Sequence, residues 1–412
     1  MDILYACCAG LDVHKRTVVA CVRRLGADGK VAREVRTFGT MTADLLALSD
    51  WLAEAGVTQV AMESTGVYWK PIFNILEGRF PVLLANPQHL RRVPGRKTDV
   101  KDCEWIAQLL QCGLVQASFI PPRPQRELRE LTRQRTQLVA QRASVANRIQ
   151  KVLEDANIKL AAVATDVLGK SGQDMLRALV AGEQDPVALA QLARGRLQEK
   201  IPALQQALRG QVTAHHRFLL ELLLDQVQSL DALVKRLDGR IQELTSPFEE
   251  TTQRLDTIPG VNRRVAEALL AEIGPDVAAF PTEGHLAAWT GLCPGQRESG
   301  GKSRGGKTRK GNRWLRQVLV QAAWAASRKT GSYLRAHYRR LAGRRGGKRA
   351  AVAVAHTLLG IIFHVLQRGS TYQELGEVYL DRLQPDRLTR SLVKRLERLG
   401  HKVVLEPQGR VA

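Results

Sequence analysis

The chain has 412 residues, which is enough for two or three domains, and 62 Lys plus Arg against 40 Asp plus Glu give it a net charge of +22. Seventeen basic residues and one acidic residue lie between Arg297 and Arg349, so this segment carries +16 of that charge. Such a surplus would repel itself without a polyanion, which favours nucleic acid as the partner over a merely solvated face. The longest apolar stretch, 350–366, is too short to span a bilayer and predicts a buried helix and no membrane partner.

The cysteines and the first residues bear on location. The six cysteines show no CxxC pair and no companion histidines at zinc spacing, which argues against a disulfide framework and a zinc site. The start of the chain lacks the basic residues of a signal peptide. We therefore expect buried thiols in a reducing cytoplasm.

Residues 1–118 alternate strand and helix patterns. Apolar runs at 3–14 and 17–25, then the turn "GADGK" and a third run at 31–39, predict a three-stranded antiparallel meander. A helix that begins at Thr42, a buried strand at 57–64, a helix near 69–76 and a strand at 81–87 follow. This succession predicts a mixed α/β domain, for which the ribonuclease H-like fold is the commonest arrangement.

Residues 119–250 change in character after the proline-rich segment "FIPPRPQ" and predict long helices. One helix has an uninterrupted a/d seam, and an earlier helix has apolar residues seven apart but carries Arg135 and Arg142 at its other seam position. The uninterrupted seam consists of Leu223, Val227, Leu230, Val234, Leu237, Ile241 and Leu244. The pair predicts a coiled coil, either folded back antiparallel or shared between protomers, and a plain helical bundle within one chain is an equally good alternative.

Residues 251–369 predict a mainly helical, basic domain, and 370–412 a charged, peripheral tail. "LDTIPGVNRRVAEALLAEIG", at 255–274, has the form of a helix-hairpin-helix element, in which free amide groups of the second helix can hold a phosphate. Its turn lacks the usual second glycine. A plain helix pair accounts for it equally well, because Pro-Gly turns are common in helical proteins.

Four carboxylates of the first domain form a candidate metal site. Asp12 and Glu63 lie at the ends of predicted strands, and Asp99 and Asp102 lie three apart at the start of a predicted helix, on one helical face. Two divalent ions that clamp a phosphodiester need three or four oxygen ligands, which such residues can supply. Ordinary strand-end acids, a helix N-cap and a first-turn acid are the alternatives.

The stretch "GQRESGGKSRGGKTRKGN", at 295–312, is rich in glycine, Lys and Arg and has Glu298 as its single acidic residue. Its glycines allow the backbone to approach a phosphate, and its basic side chains supply charge. Ser299 and Ser303 are its two serines. Because no histidine lies nearby in the sequence to activate a hydroxyl, the chemistry alone favours a phosphate-contacting loop over a nucleophile.

The motifs together resemble a known family. "GLDVHK", "ESTGVYW", "KTDVKDCEWIAQLL", "IPGV" and "AAWTGLCPGQRESGGKSRGGKTRKGNRWLRQVLVQAAW" occur in the order found in Piv/MooV-type insertion-sequence transposases, whose family is conventionally numbered one hundred and ten. The resemblance covers residues 1 to about 118 and 251 to about 366. It implies a RuvC-like DEDD domain, a helical linker and a C-terminal transposase domain, in a bacterial cytoplasmic protein that is nucleoid-associated when bound to DNA.

The resemblance also implies the roles of individual residues. Asp12, Glu63, Asp99 and Asp102 would bind Mg²⁺, and Ser299 would attack DNA to form a covalent phosphoserine, although Ser303 stands in the same context four residues later. Backbone phosphates would be held by Arg297, Lys302, Arg304, Lys307, Arg309, Lys310, Arg313 and Arg316. The implied partners are donor and target DNA, a structured non-coding bridge RNA that pairs with both, and further copies of the chain in a dimer or tetramer with a composite active site.

Three other functions remain open at this stage. A site-specific DNA invertase of the same family differs from a transposase only in the context of its element. In a RuvC-like metal-dependent junction nuclease, the carboxylates would activate water and the glycine-lysine loop would only bind DNA. A nucleic-acid scaffold without catalysis would bind DNA independently of magnesium and with a steep salt dependence.

Overall fold

The computed structural model describes residues 3–63, 66–85, 102–295, 298–303, 307–383 and 385–406. The chain divides into two compact units, residues 1–121 and 122–412.

The first unit contains a five-stranded mixed sheet. Its strands are β1 (Cys7–Val13), β2 (Thr17–Leu25), β3 (Val31–Gly39), β4 (Gln59–Glu63) and β5 (Val82–Ala85), in the order β3-β2-β1-β4-β5. The β1–β2 and β2–β3 pairs are antiparallel, and β4 and β5 continue the sheet in parallel with β1. The predicted meander and mixed α/β character are therefore confirmed, and β1 begins four residues later than predicted.

Helices cover both faces of this sheet. Helices α1 (Thr42–Glu54) and α2 (Trp69–Leu76) share a hydrophobic cluster with Leu11 and Met62. Helix α3 (Asp102–Gln111) packs on the other face, where Ile106 and Leu110 meet Cys8 and Ala61. Thr42 is the first helical residue of α1 and does not cap it, since the N-cap is Met41 with no side-chain hydrogen bond.

Gly10 allows α3 to lie directly on β1. A Cβ atom at this position would stand 2.3 Å from the backbone nitrogen of Ala107 and 2.4 Å from the carbonyl oxygen of Cys103. Both contacts are with backbone, so a side chain there would force the whole helix away from the sheet.

Gly10→Ala is expected to lower the free energy of unfolding by about 1–3 kcal/mol, because the helix must shift to admit the methyl group. Urea denaturation measures this change. Gly78→Ala is the matched control, since nothing lies within 4 Å of its Cβ position, and it should cost no stability. Equal unfolding midpoints for both variants would show that α3 does not rest on Gly10.

The second unit begins with two long helices that run antiparallel within the chain. The first is α4 (Arg123–Asp155), and the second spans Ala214–Thr245. Four polar contacts join them, and residue numbers rise along one helix as they fall along the other. They are Arg135–Asp238, Arg142–Asp231, Arg148–Gln226 and Asp155–His216. The two helices are therefore folded back on each other within one chain and are not shared between protomers in this structure.

Short helices connect the two long ones. They are α5 (Leu160–Val163), α6 (Lys170–Val180), α7 (Pro186–Gln191) and α8 (Ile201–Ala207), with a 3₁₀ turn at Gly195–Lys200, and the second long helix is α9 (Ala214–Thr245). Leu176 and Leu204 share one core with Ile149 of α4 and Val227 of α9. The uninterrupted seam of α9 therefore packs inside this unit.

The remaining helices form the C-terminal part of the unit. They are α10 (Glu249–Asp256), α11 (Arg263–Glu272), α12 (Glu283–Thr290), α13 (Arg313–Ala326), α14 (Tyr333–Arg345) and α15 (Gly347–Arg368). Within the described ranges, α15 alone is long and apolar enough to cross a membrane by length and composition, and 56% of its most apolar window is buried inside this unit. The predicted buried helix at 350–366 is confirmed, but the expectation that it is too short to span a bilayer is wrong, because the helix extends beyond the apolar run to 22 residues.

Two helices joined by a turn are present at 255–274, as both the helix-hairpin-helix prediction and the plain helix pair require, and the turn is packed. A Cβ atom on Gly260, whose φ is +85°, would stand 2.2 Å from the carbonyl oxygen of Ala322 in α13. Asn262 caps α11 by accepting a hydrogen bond from the Val265 backbone N–H at 3.0 Å. Packing and capping thus account for the Pro-Gly turn without a bound phosphate.

The tail contacts α14 before it extends as helices α16 (Tyr379–Leu383) and α17 (Pro385–Arg398). Glu374 accepts a hydrogen bond from the Tyr333 backbone N–H at 2.8 Å, and Glu377 pairs with Arg339 at 3.6 Å. Acidic residues of the tail therefore neutralise part of the basic α14 helix.

Candidate active site

Asp12 and Glu63 occupy neighbouring positions at the same end of the first sheet. Strands β1 and β4 are parallel, and Leu11 is in register with Met62, so the next residue of each strand is one of the two acids. Alternation along the strands places both acids on the face of Cys8 and Ala61, which α3 covers. The sequence predicted two strand-end carboxylates, and the strand pairing places them side by side.

Asp102 reaches this end of the sheet because α3 runs antiparallel to β1. At the far end of the helix, the Gln111 carbonyl accepts hydrogen bonds from the backbone of residues 4 and 5. At its start, the carbonyl of Cys103, the second residue of the helix, lies over Gly10. The first turn of α3 therefore points toward Asp12, and the positive end of the helix dipole favours negative charge there.

The fourth predicted ligand, Asp99, lies outside the described residues, as do Arg297 and Arg304. Within the part of the chain that the structure describes, no three His, Cys, Asp or Glu side chains lie close enough together to hold a metal ion. Asp12 instead pairs with His14, whose Nε2 lies 3.2 Å from Asp12 Oδ2. His14, which the sequence analysis did not single out, thus gives the partly buried Asp12 carboxylate a polar partner.

Ser299 lies directly before the turn of a short β-hairpin that the sequence analysis missed. Strand β6 (Glu298–Ser299) pairs antiparallel with β7 (Lys302–Ser303), and Gly300 and Gly301 form the turn with φ of +58° and +72°. Two consecutive positive φ angles suit the two-residue turn of a tight hairpin, which glycine permits without strain. The "SGGK" sequence was the available signal for it.

The two ends of this segment lie side by side. The Gly295 N–H donates to the Lys307 carbonyl at 3.0 Å, and the Asn312 N–H donates to the Trp289 carbonyl at 3.0 Å. A Cβ atom on Gly291 would stand 2.8 Å from the backbone of Gly311, so the backbones touch. We call the described parts of this segment, residues 291–295, 298–303 and 307–312, the serine hairpin.

The predicted phosphate ligands near the serine hairpin differ in exposure. Lys307, Arg309, Lys310 and Arg313 are exposed, whereas Arg316 is half-buried and donates to the Gly291 carbonyl at 3.2 Å. Exposed Lys and Arg side chains on one loop can contact a nucleic-acid backbone. Arg316 also helps to close the base of the hairpin.

A buried acid beside this hairpin was also missed. Glu272, only 2% exposed, accepts two hydrogen bonds from the Arg133 guanidinium, at 2.7 and 2.8 Å, and one from Asn312 Nδ2 at 2.6 Å. Arg129 lies 3.2 Å from the same carboxylate, and burial lowers the pKa of Arg129 to about 10, which leaves it charged at neutral pH. The signal in the sequence that could have identified Glu272 is an acidic residue on the buried face of a helix.

Comparisons with known proteins agree on one kind of protein. A family model described as a transposase, of the DEDD type of IS110, matches residues 9–158, and the model "Transposase IS116/IS110/IS902 family" matches residues 252–339. Together they cover more than half of the chain.

Curated relatives match across both units. The chain is 28% identical to a probable family 20 transposase of Pseudomonas aeruginosa, over 76% of this chain and 85% of the relative. It is 26% identical to the transposase for insertion sequence element IS1111A of Coxiella burnetii, over 78% and 81%. A putative transposase of Sinorhizobium fredii is 32% identical over 36% of this chain and 39% of the relative.

Proposed function

Because the chain belongs to the IS110 family of insertion-sequence transposases, we propose that it cuts and rejoins DNA through a covalent phosphoserine at Ser299. The observation that supports a catalytic function is the placement of Asp12, Glu63 and the first turn of α3 at one end of the sheet. The role of Ser299 is supported by the family and by its place directly before the glycine turn of the β6–β7 hairpin. The strand order β3-β2-β1-β4-β5 supports a RuvC-like fold for this domain.

The carboxylates fit Mg²⁺ in kind, since oxygen ligands are those it prefers. Asp12 and Glu63 are neighbours on paired strands and Asp102 begins the helix that covers them, but these three side chains do not themselves form a closed metal site. Asp12, Glu63, Asp99 and Asp102 would hold the metal. When bound, Mg²⁺ would neutralise charge on the scissile phosphate. The adjacency of two carboxylates at one strand end supports a catalytic function over a scaffold.

Ser299 would form the covalent bond. Its Oγ attacks phosphorus, the Oγ–P bond forms and the bond from phosphorus to one sugar oxygen breaks. The serine proton passes to a base, and the departing sugar oxygen takes up a proton as a free hydroxyl. Attack by a sugar hydroxyl of another strand reverses these changes, so the phosphodiester count is conserved and strands are exchanged.

The basic residues would hold backbones while base pairing supplies sequence recognition. The exposed Lys307, Arg309, Lys310 and Arg313 support contact with phosphates, and together with Lys302, Arg297 and Arg304 they would hold DNA and a non-coding bridge RNA. The protein would act on bacterial DNA in the nucleoid. In a homo-oligomer, the protomers would meet through a surface other than the α9 seam, because that seam packs within the chain.

The test uses the protein with its co-purified RNA, magnesium and labelled DNA from the ends of its element, followed by denaturing electrophoresis. We expect a protein–DNA adduct that survives denaturation, and that does not form when the complex is treated with ribonuclease before the DNA is added. Cleaved DNA without an adduct would instead favour the metal-dependent junction nuclease. An adduct that is insensitive to ribonuclease would contradict RNA guidance.

A further inference from the structure

Two arginines one turn apart on α4 reach both ends of the serine hairpin. The Arg129 guanidinium lies over the ring of Trp289, 5.9 Å from its centroid, and the Arg133 guanidinium lies over Trp314 at 5.7 Å. Trp289 stands at the end of α12 before the hairpin, and Trp314 stands in the first turn of α13 after it. A guanidinium over an indole ring is an attractive contact.

Glu272 joins these arginines to the hairpin itself. Its carboxylate pairs with both arginines, and its Oε2 accepts a hydrogen bond from Asn312 Nδ2, at the last residue of the hairpin. The other polar atom of the Asn312 side chain, Oδ1, caps α13. It accepts hydrogen bonds from the backbone N–H groups of Trp314 and Leu315, at 3.1 and 3.2 Å. One asparagine thus fixes both the start of α13 and the distance to α4.

We propose that Glu272 is a positioning residue that holds the base of the serine hairpin to helix α4 through Asn312. A buried carboxylate with several charge-assisted partners has a fixed place, so the segment bonded to it is fixed as well. This would keep the hairpin tip, with Ser299, at a constant position relative to the long helices. The role in catalysis rests on the proposed function, whereas the mechanical link does not.

Asn312→Ser separates the link from the cap. Serine caps helices as well as asparagine does, but it has no amide group to donate to Glu272. With the link lost, the hairpin should open more often, and trypsin should cleave at its exposed basic residues about tenfold faster. The unfolding temperature should stay close to that of the wild type.

Asn262→Ser is the matched control, because Asn262 caps the neighbouring helix α11 and the change is chemically the same. It should leave the rate of tryptic cleavage in the hairpin unchanged. The second variant, Asn312→Asp, keeps the cap but turns a carboxylate toward Glu272, and it should speed cleavage further.

The rate of adduct formation at saturating DNA is the second measurement. We expect Asn312→Ser to reduce this rate about tenfold with DNA affinity unchanged, because the tip is misplaced while its phosphate contacts remain. The proposal would be overturned if Asn312→Ser and Asn312→Asp were both cleaved by trypsin at the wild-type rate and both formed the adduct at the wild-type rate. If the wild type forms no adduct, the proposed function fails, and tryptic cleavage still decides the link.

Discussion

Ser299→Ala is expected to abolish the covalent protein–DNA adduct, with a fall in its rate of formation of at least about a thousandfold. Alanine has no oxygen to bond to phosphorus, and the change adds no bulk beside the Gly300-Gly301 turn, so the hairpin should persist. Quantifying labelled DNA that remains bound after denaturation measures the effect. DNA binding, measured at a stated salt concentration, should stay the same.

Ser303→Ala is the control for that experiment. Ser303 lies in the paired strand of the same hairpin, opposite Glu298, and carries the same hydroxyl group. We expect this variant to form the adduct at the wild-type rate. Loss of the adduct in Ser303→Ala with retention in Ser299→Ala would move the nucleophile to Ser303, and retention in both would exclude a phosphoserine at either position.

Asp12→Asn is expected to reduce strand cleavage about a thousandfold while DNA binding is retained. Asparagine has nearly the same shape and keeps one oxygen, but it lacks the negative charge that a cation requires. Because Asp12 is 21% exposed at the end of its strand, the change should leave the sheet intact. Cleavage of labelled DNA over a magnesium titration measures the effect.

Asp50→Asn removes the same charge at another place in the first unit. Asp50 lies on α1, which packs against the face of the sheet opposite α3, and it is an exposed residue that pairs with Arg79 at 2.6 Å. Its cleavage rate should equal that of the wild type. Equal cleavage by Asp12→Asn and Asp50→Asn would remove Asp12 from the metal site and weaken both the transposase and the junction-nuclease mechanisms.

The strands and helices of the first domain could be predicted from the sequence because their signals are local. The runs at 17–25 and 31–39 became β2 and β3 with the predicted bounds, since apolar and β-branched residues between turn residues specify a strand without distant contacts. The adjacency of Asp12 and Glu63 depends on which strands pair. Local pattern does not contain that information.

The two-stranded serine hairpin illustrates a different limit. Its strands are two residues long and rich in polar groups, so they produce no alternation of apolar residues. Only the paired glycines mark it, and glycine-rich basic sequences also occur in loops without strands. The contacts at 291–295 and 307–312 bring its ends together.

By itself, the sequence determined the order of motifs, the basic segment, the mixed sheet and the apolar seam of α9, because composition and periodicity are properties of neighbouring residues. Only the tertiary structure decided what the buried charges do. Arg135 and Arg142, which interrupt a seam, meet Asp238 and Asp231 on the antiparallel helix. Glu272 meets residues about forty and one hundred and forty positions away. A charge leaves water only when folding supplies its partner, so these roles appear only in the folded chain.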